Sequence, residues 1–152
     1  MKLAEALIQR ADYKKRLEQL KARILRNAKV QEGDQPAEDP RELLSEVERV
    51  ARELADLVKR INRTNSATAF GDRMNVSDAL AERDAIALRY RLYSELAQAA
   101  SITQDRYSRS EVKYVSAISV ADAQRQADLL AREYRVLDAR IQELNWQTEL
   151  LE

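Results

Sequence analysis

Arg60, Asn62, Arg63, Thr64 and Asn65 form the densest polar cluster in the sequence that is not simply alternating charge along a helix. Arginine offers a rigid donor fork for carboxylate or phosphate, and asparagine an amide that reads another amide or a base edge, so the cluster has the chemistry of an anion site. A second cluster, Arg106, Tyr107, Ser108, Arg109, Ser110, Glu111 and Lys113, sets three cations among an aromatic ring and hydroxyls. That mixture suits clamping a phosphate or stacking a base. Brought together, the two clusters would line one basic pocket for a small anionic ligand. Each also has a plainer reading. Arg and Asn favour helix C-termini for dipole and capping reasons, and Arg residues in a polar connection can pair with Glu32, Asp34 or Asp105.

Other chemistry is bounded by what is missing. With no Cys and no His, this sequence cannot form a thiol nucleophile, a Cys/His zinc site, a haem-ligating imidazole or a Ser-His-Asp triad. The serines of the second cluster therefore lack a His base. Carboxylates remain. Glu53 and Asp56 supply the second half of the Glu-x-x-Glu…Glu-x-x-Asp pattern that all-helical nucleotide pyrophosphatases use to hold magnesium. The upstream pair, Asp39 with Glu42, is out of type and straddles a helix start. Acids three apart on a helix are mostly a solvated face, so no metal or other cofactor is expected. The 26 basic and 26 acidic side chains cancel, which argues against general nucleic-acid binding.

The elements that must position these residues are helices. Ala, Leu, Glu, Lys and Arg make up more than half of the 152 residues, against 2 Gly and 2 Pro. Leu3, Ala6, Tyr13, Leu17, Leu20 and Ile24 define a first helix over residues 2–27, interrupted by Arg10. Its cations, Lys14, Lys15, Arg16, Lys21, Arg23 and Arg26, give it the nearest approach to a membrane-active face, diluted by Glu5, Asp12 and Glu18. A polar stretch with Gly33 and Pro36 ends at Asp39-Pro40, an N-cap followed by proline at the first helical position. From there Leu43, Val47, Val50, Leu54, Leu57 and Ile61 keep heptad spacing. Turn formers over residues 62–75 separate this helix from a third starting near Ser77. The third carries two stripes: Ala81, Ala85, Leu88, Leu92 and Ala99, and beside them Ile86, Tyr90, Tyr93 and Ala97. The small alanines would let a neighbouring helix approach closely.

Residues 106–118 hold Val112, Tyr114, Val115 and Ile118 and read as an extended segment or short β-ribbon, with Val30 as the one other extended candidate. Ser119 and Asp122 then match a Ser-x-x-acid capping box. It opens a last helix whose seam is Ala123, Ala127, Leu130, Tyr134, Leu137, Ile141, Leu144 and Leu151, with Thr148 breaking it. Leu129, Val136, Trp146 and Leu150 lie outside that seam, and a second apolar face on a long helix calls for a partner chain. Four helices of roughly 20 to 30 residues, about 30 to 45 Å long, predict an all-α single domain over residues 1–152. The expected form is an antiparallel four-helix bundle with long coiled-coil-like helices.

Several stretches, KLAEALIQRAD, NAKVQEGDQPAEDP with ELL behind it, RINRTN, RYSRSE and LDARIQELNW, resemble a family of small bacterial proteins labelled septicolysin. The resemblance runs through nearly the whole chain. It implies a single helical domain and brings no catalytic residues with it. A thiol-activated lysin is excluded by the absence of cysteine.

The function expected from the sequence is a self-associating helical protein, a scaffold or small-ligand carrier rather than an enzyme. Its oligomer interface is expected at Leu130, Tyr134, Leu137, Ile141, Leu144 and Trp146. An anion or nucleotide-binding module built on the Arg clusters is the alternative, with a magnesium-dependent hydrolase or a membrane-active protein further off. No stretch reads as a signal peptide or as about 18 consecutive apolar residues, so a cytoplasmic location is the default.

Overall fold

The computed structural model describes residues 1–101 and 112–152. It contains α1 (Leu3–Arg26), α2 (Pro40–Ala67), a ribbon of β1 (Ala69–Phe70) and β2 (Met74–Asn75), α3 (Val76–Ala100) and α4 (Val120–Gln147). The all-α class and the four helices match the expectation from composition and periodicity. The chain divides into two compact units, Met1–Val76 with Gln142–Glu152, and Ser77–Ile141.

In the first unit α1 and α2 pack antiparallel, because each buries one stripe. Leu20 of α1 meets Leu43 and Val50 from the start of α2, with Tyr13, Leu17, Ile24 and Val47 packed around them. At the other end Leu3 and Ala6 meet Leu57, Ile61 and Leu150. Each fully buried leucine contributes about 1.5–3 kcal/mol relative to an exposed one, so these clusters dominate the unit's stability. The Asp39 side chain accepts the Arg41 N–H at 2.9 Å, with Pro40 behind it, and starts α2 as its sequence signature requires. Asn27 ends α1 and holds the connection that follows. Its amide donates to the Arg23 carbonyl at 2.8 Å, and its Oδ1 accepts the Glu38 N–H at 3.1 Å.

The turn formers after Ile61 do not end α2. The helix continues to Ala67 because Thr64 is fully buried and its hydroxyl donates to the Arg60 carbonyl at 2.8 Å, which keeps its polar group satisfied within the helix. The ribbon follows, antiparallel, pairing Ala69 with Asn75 and Phe70 with Met74 around Gly71, whose φ of 69° suits a residue without Cβ. This places the ribbon elsewhere than residues 106–118. Residues 112–119 form no strand and Val30 is exposed in a coil, while residues 106–111 lie outside the described residues. Tight pairing needs a turn between the strands, and Gly71 supplies one locally.

The C-terminal segment closes the first unit. The Leu3 N–H donates to the Thr148 carbonyl at 2.9 Å and the Leu150 N–H to the Met1 carbonyl at 2.8 Å, forming a bridge between Lys2 and Glu149. Leu150 is thereby inserted into the cluster of Leu3, Ala6, Leu57 and Ile61.

In the second unit Ser119 accepts the Asp122 N–H through its hydroxyl at 3.2 Å, the expected start of α4. Arg83, early in α3, pairs with Asp138, late in α4, at 2.8 Å. The far end of α3, from Leu96, lines a cavity with Tyr114–Ile118, just ahead of α4. The two helices therefore run antiparallel.

Candidate functional site

The first Arg cluster is tied into the structure of its own unit. The Thr64 hydroxyl accepts the Leu151 N–H at 3.0 Å, Arg60 Nε donates to the Leu151 carbonyl at 3.1 Å, and Arg63 donates to the Glu152 carbonyl at 3.1 Å. Asn65 is buried and Asn62 exposed. These donors hold a backbone segment whose carbonyls carry partial negative charge, which is the same recognition that would hold an anion. Of the second cluster, Arg106 and Arg109 lie outside the described residues, and Lys113 is exposed in a coil. The carboxylates are also engaged: Glu53 takes an ion pair from Arg49 at 2.8 Å and Asp56 one from Lys59 at 3.0 Å. Among the described residues no group of three or more acidic side chains is placed to hold a metal ion, so the pair Glu53 and Asp56 has no completed ligand set around it.

The expected interface on α4 divides. Leu130 and Ile141 are 1% and 0% exposed within the single chain, so they are core and leave no surface for a second protomer. They follow the heptad because that is the inner seam of α4, and a seam reads the same in sequence whether its cover comes from the same chain or another. Tyr134, Leu137 and Leu144 are half-buried, and Trp146 is 54% exposed.

What remains uncovered is the outer side of the same helix pair. On α3, Ala79 and Ala97 are buried and Arg83, Ile86 and Tyr93 are half-buried, on one helical face whose remaining three and four residue step, Tyr90, is partly exposed. The other stripe, Ala81, Ala85, Leu88 and Leu92, is exposed along its length, with Leu88 at 61% and Leu92 at 62%. Leu129 and Val136 of α4 are also exposed, and with Ile86 and Leu137 they line a shallow, largely apolar groove of about 420 Å³ edged by Arg132, Glu133 and Arg140. A helix with apolar residues on both faces is a helix meant to be covered on both. The described residues cover one.

Arg83 fixes the inner face. Burial works against its charge, but the hydrogen bond to Asp138, with the fields of Tyr134, Asp138 and Asp84, outweighs it and raises its pKa. Its Nε is buried with no hydrogen-bond partner among the described residues. The described helices include none long and apolar enough to cross a membrane.

The structure thus defines a helical protein with two helix pairs, a closing C-terminal segment and an apolar face on α3 that the other described residues leave exposed. The chain belongs to a family described as a family of unknown function (DUF6847), whose model matches residues 10–150. It is similar over 99% of both chains, at 53% identity and a TM-score of 0.93, to the crystal structure of a functionally unknown conserved protein from Corynebacterium diphtheriae. No curated protein matches it. The family description carries neither the septicolysin label nor a lytic activity, so that label adds nothing to the reading of the site.

Proposed function

We propose that the protein is a non-catalytic helical module that works by associating with itself through the second unit, as a scaffold. The observation that supports this is the α3 stripe, where Leu88 and Leu92 stand more than half exposed beside Ala81 and Ala85 on a helix whose opposite face is already packed. Contiguous apolar surface of this kind is unusual on soluble monomers and marks an interaction site. Light scattering on the purified full chain, with and without a mixed pool of nucleotides and divalent metals, tests it. A ligand-independent oligomer is expected. A monomer at all concentrations overturns the reading.

A second reading is carriage of a small amphipathic anion, favoured by the apolar groove with Arg132 and Arg140 at its edge. Medium-chain fatty acids at millimolar concentration should then raise the unfolding temperature through binding linkage. An Arg132→Ala variant should lose that rise, and an unshifted transition in the wild type removes this reading.

A further inference from the structure

We propose that the occupant of the uncovered α3 face is α3 of a second copy, running antiparallel about a two-fold axis, with Ala81 opposite Leu92 and Ala85 opposite Leu88 of the other copy. This rests on the self-association reading and specifies its geometry. The order of residues along the stripe carries the argument. Ala81 and Ala85 come first, and Leu88 and Leu92 follow at heptad spacing, all four exposed. Parallel pairing would stack alanine on alanine at one end, leaving a gap, and leucine on leucine at the other. Antiparallel pairing in the proposed register puts one Ala and one Leu in each of four successive layers, so that layer volume is constant and the backbones approach evenly.

Charge selects the same register. Asp84 and Arg91 flank the stripe on one side and Glu82 and Arg89 on the other, and all four are exposed. On each side the acid comes seven residues, two turns, before the base, so reversing the second helix sets acid against base. In an antiparallel pair equivalent flanks face each other. Asp84 then meets Arg91 of the second copy, and Glu82 meets Arg89, and the two-fold axis repeats both pairs. Sliding the helices by one heptad, so that Leu88 lies opposite Leu92, instead brings Arg89 to Arg89 and Arg91 to Arg91 across the axis. That register is rejected by like charge. The next layer beyond the four would bring Glu95 to Asp78 of the second copy, which limits the paired stretch to residues 81–92. The self-complementarity of both volume and charge is what a second copy needs and what an unrelated partner does not explain.

The test uses the full chain and five surface variants, each checked by thermal unfolding for an unchanged fold. Sedimentation equilibrium of the wild type should show a dimer. Leu88→Glu should abolish it, and Arg91→Asp should weaken it roughly tenfold, since two attractive exposed pairs become repulsive. Combining Arg91→Asp with Asp84→Arg should restore the wild-type dimer, because the swapped pair meets again only across an antiparallel interface. Because the chain has no cysteine, an oxidised equimolar mixture of Ala85→Cys and Leu88→Cys variants should cross-link with each other, while Leu88→Cys alone should not. A wild-type monomer overturns self-association as a whole. A dimer that survives Leu88→Glu leaves self-association standing and overturns the α3 pairing. Self-cross-linking of Leu88→Cys, or failure of the charge swap to restore the dimer, overturns the antiparallel register.

Discussion

Thr64 shows how a polar residue inside a core is made tolerable. It is fully buried, its hydroxyl gives its proton to the Arg60 carbonyl, and the oxygen takes the N–H of Leu151. Thr64→Val keeps the shape and removes both bonds, leaving the Leu151 N–H without its acceptor. The expected loss is about 1–3 kcal/mol, the cost of an unsatisfied buried donor, measured by urea denaturation; an unchanged midpoint would refute this role for the hydroxyl. In sequence the same threonine sits in a run of Arg, Asn and Ser that reads as a helix end with an anion site beside it. Residue types alone cannot separate an arginine that binds a free anion from one that binds carbonyls brought from the far end of the chain, because both use the same donors.

At the scale of the element, local signals are those that the structure follows. Asp39 before Pro40 and Ser119 before Asp122 start helices through side-chain acceptors that lie within three residues of their donors. Asp39→Ala should cost about 1 kcal/mol, seen as a lower unfolding midpoint, and Asp39→Ser should recover most of it. Equal stability of Asp39→Ala and wild type would deny the cap its part. The ribbon is the contrary case. β-branched and aromatic residues over 112–118 suggested a strand, yet the only paired strands among the described residues flank Gly71, where a left-handed φ closes the turn. Strand propensity reports how a residue fits a pleated surface, so it cannot say whether a partner strand is present. Helix α3 stands between these cases: its two stripes are legible in sequence, while which one is covered is not.

For the whole molecule, α1 is clamped by three acid–base contacts. Glu46 of α2 is held below the usual carboxylate range by its hydrogen bond from Arg16, Glu38 in the α1–α2 connection by that from Arg23, and Glu149 of the C-terminal segment by Lys2 and the N-terminal ammonium. A carboxylate whose folded pKa is depressed adds stability that is complete above its unfolded value, about 4.3, and is lost as pH falls through the folded one. The unfolding temperature should therefore drop as pH is lowered from about 5 toward 3, and Glu46→Gln should flatten that slope while leaving it in place at the other two sites. A slope unchanged by Glu46→Gln would contradict its share. Leu150 makes the hydrophobic counterpart of this clamp. Truncating it to Ala should cost about 2–5 kcal/mol, because its side chain fills the space between Leu3, Ala6, Leu57 and Ile61. A loss below 1 kcal/mol, by the standard of ordinary surface changes, would mean the segment is not docked.

What depends on near neighbours is legible in the residues themselves: four helices, the Asp39 and Ser119 starts, the exclusion of Cys and His chemistry, and the apolar seam of α4 through Leu130 and Ile141, which the sequence assigns to an oligomer interface. Period and cap are properties of a few consecutive residues, and they survive in any fold that contains the helix. Tertiary structure decided the rest. It alone sends Arg60, Arg63 and Thr64 to a backbone segment about 90 positions away, buries the α4 seam within the chain, and leaves Leu88 and Leu92 of α3 in water. An apolar stripe states that a face must be covered; which surface covers it is fixed only when the chain has folded and one face is left over.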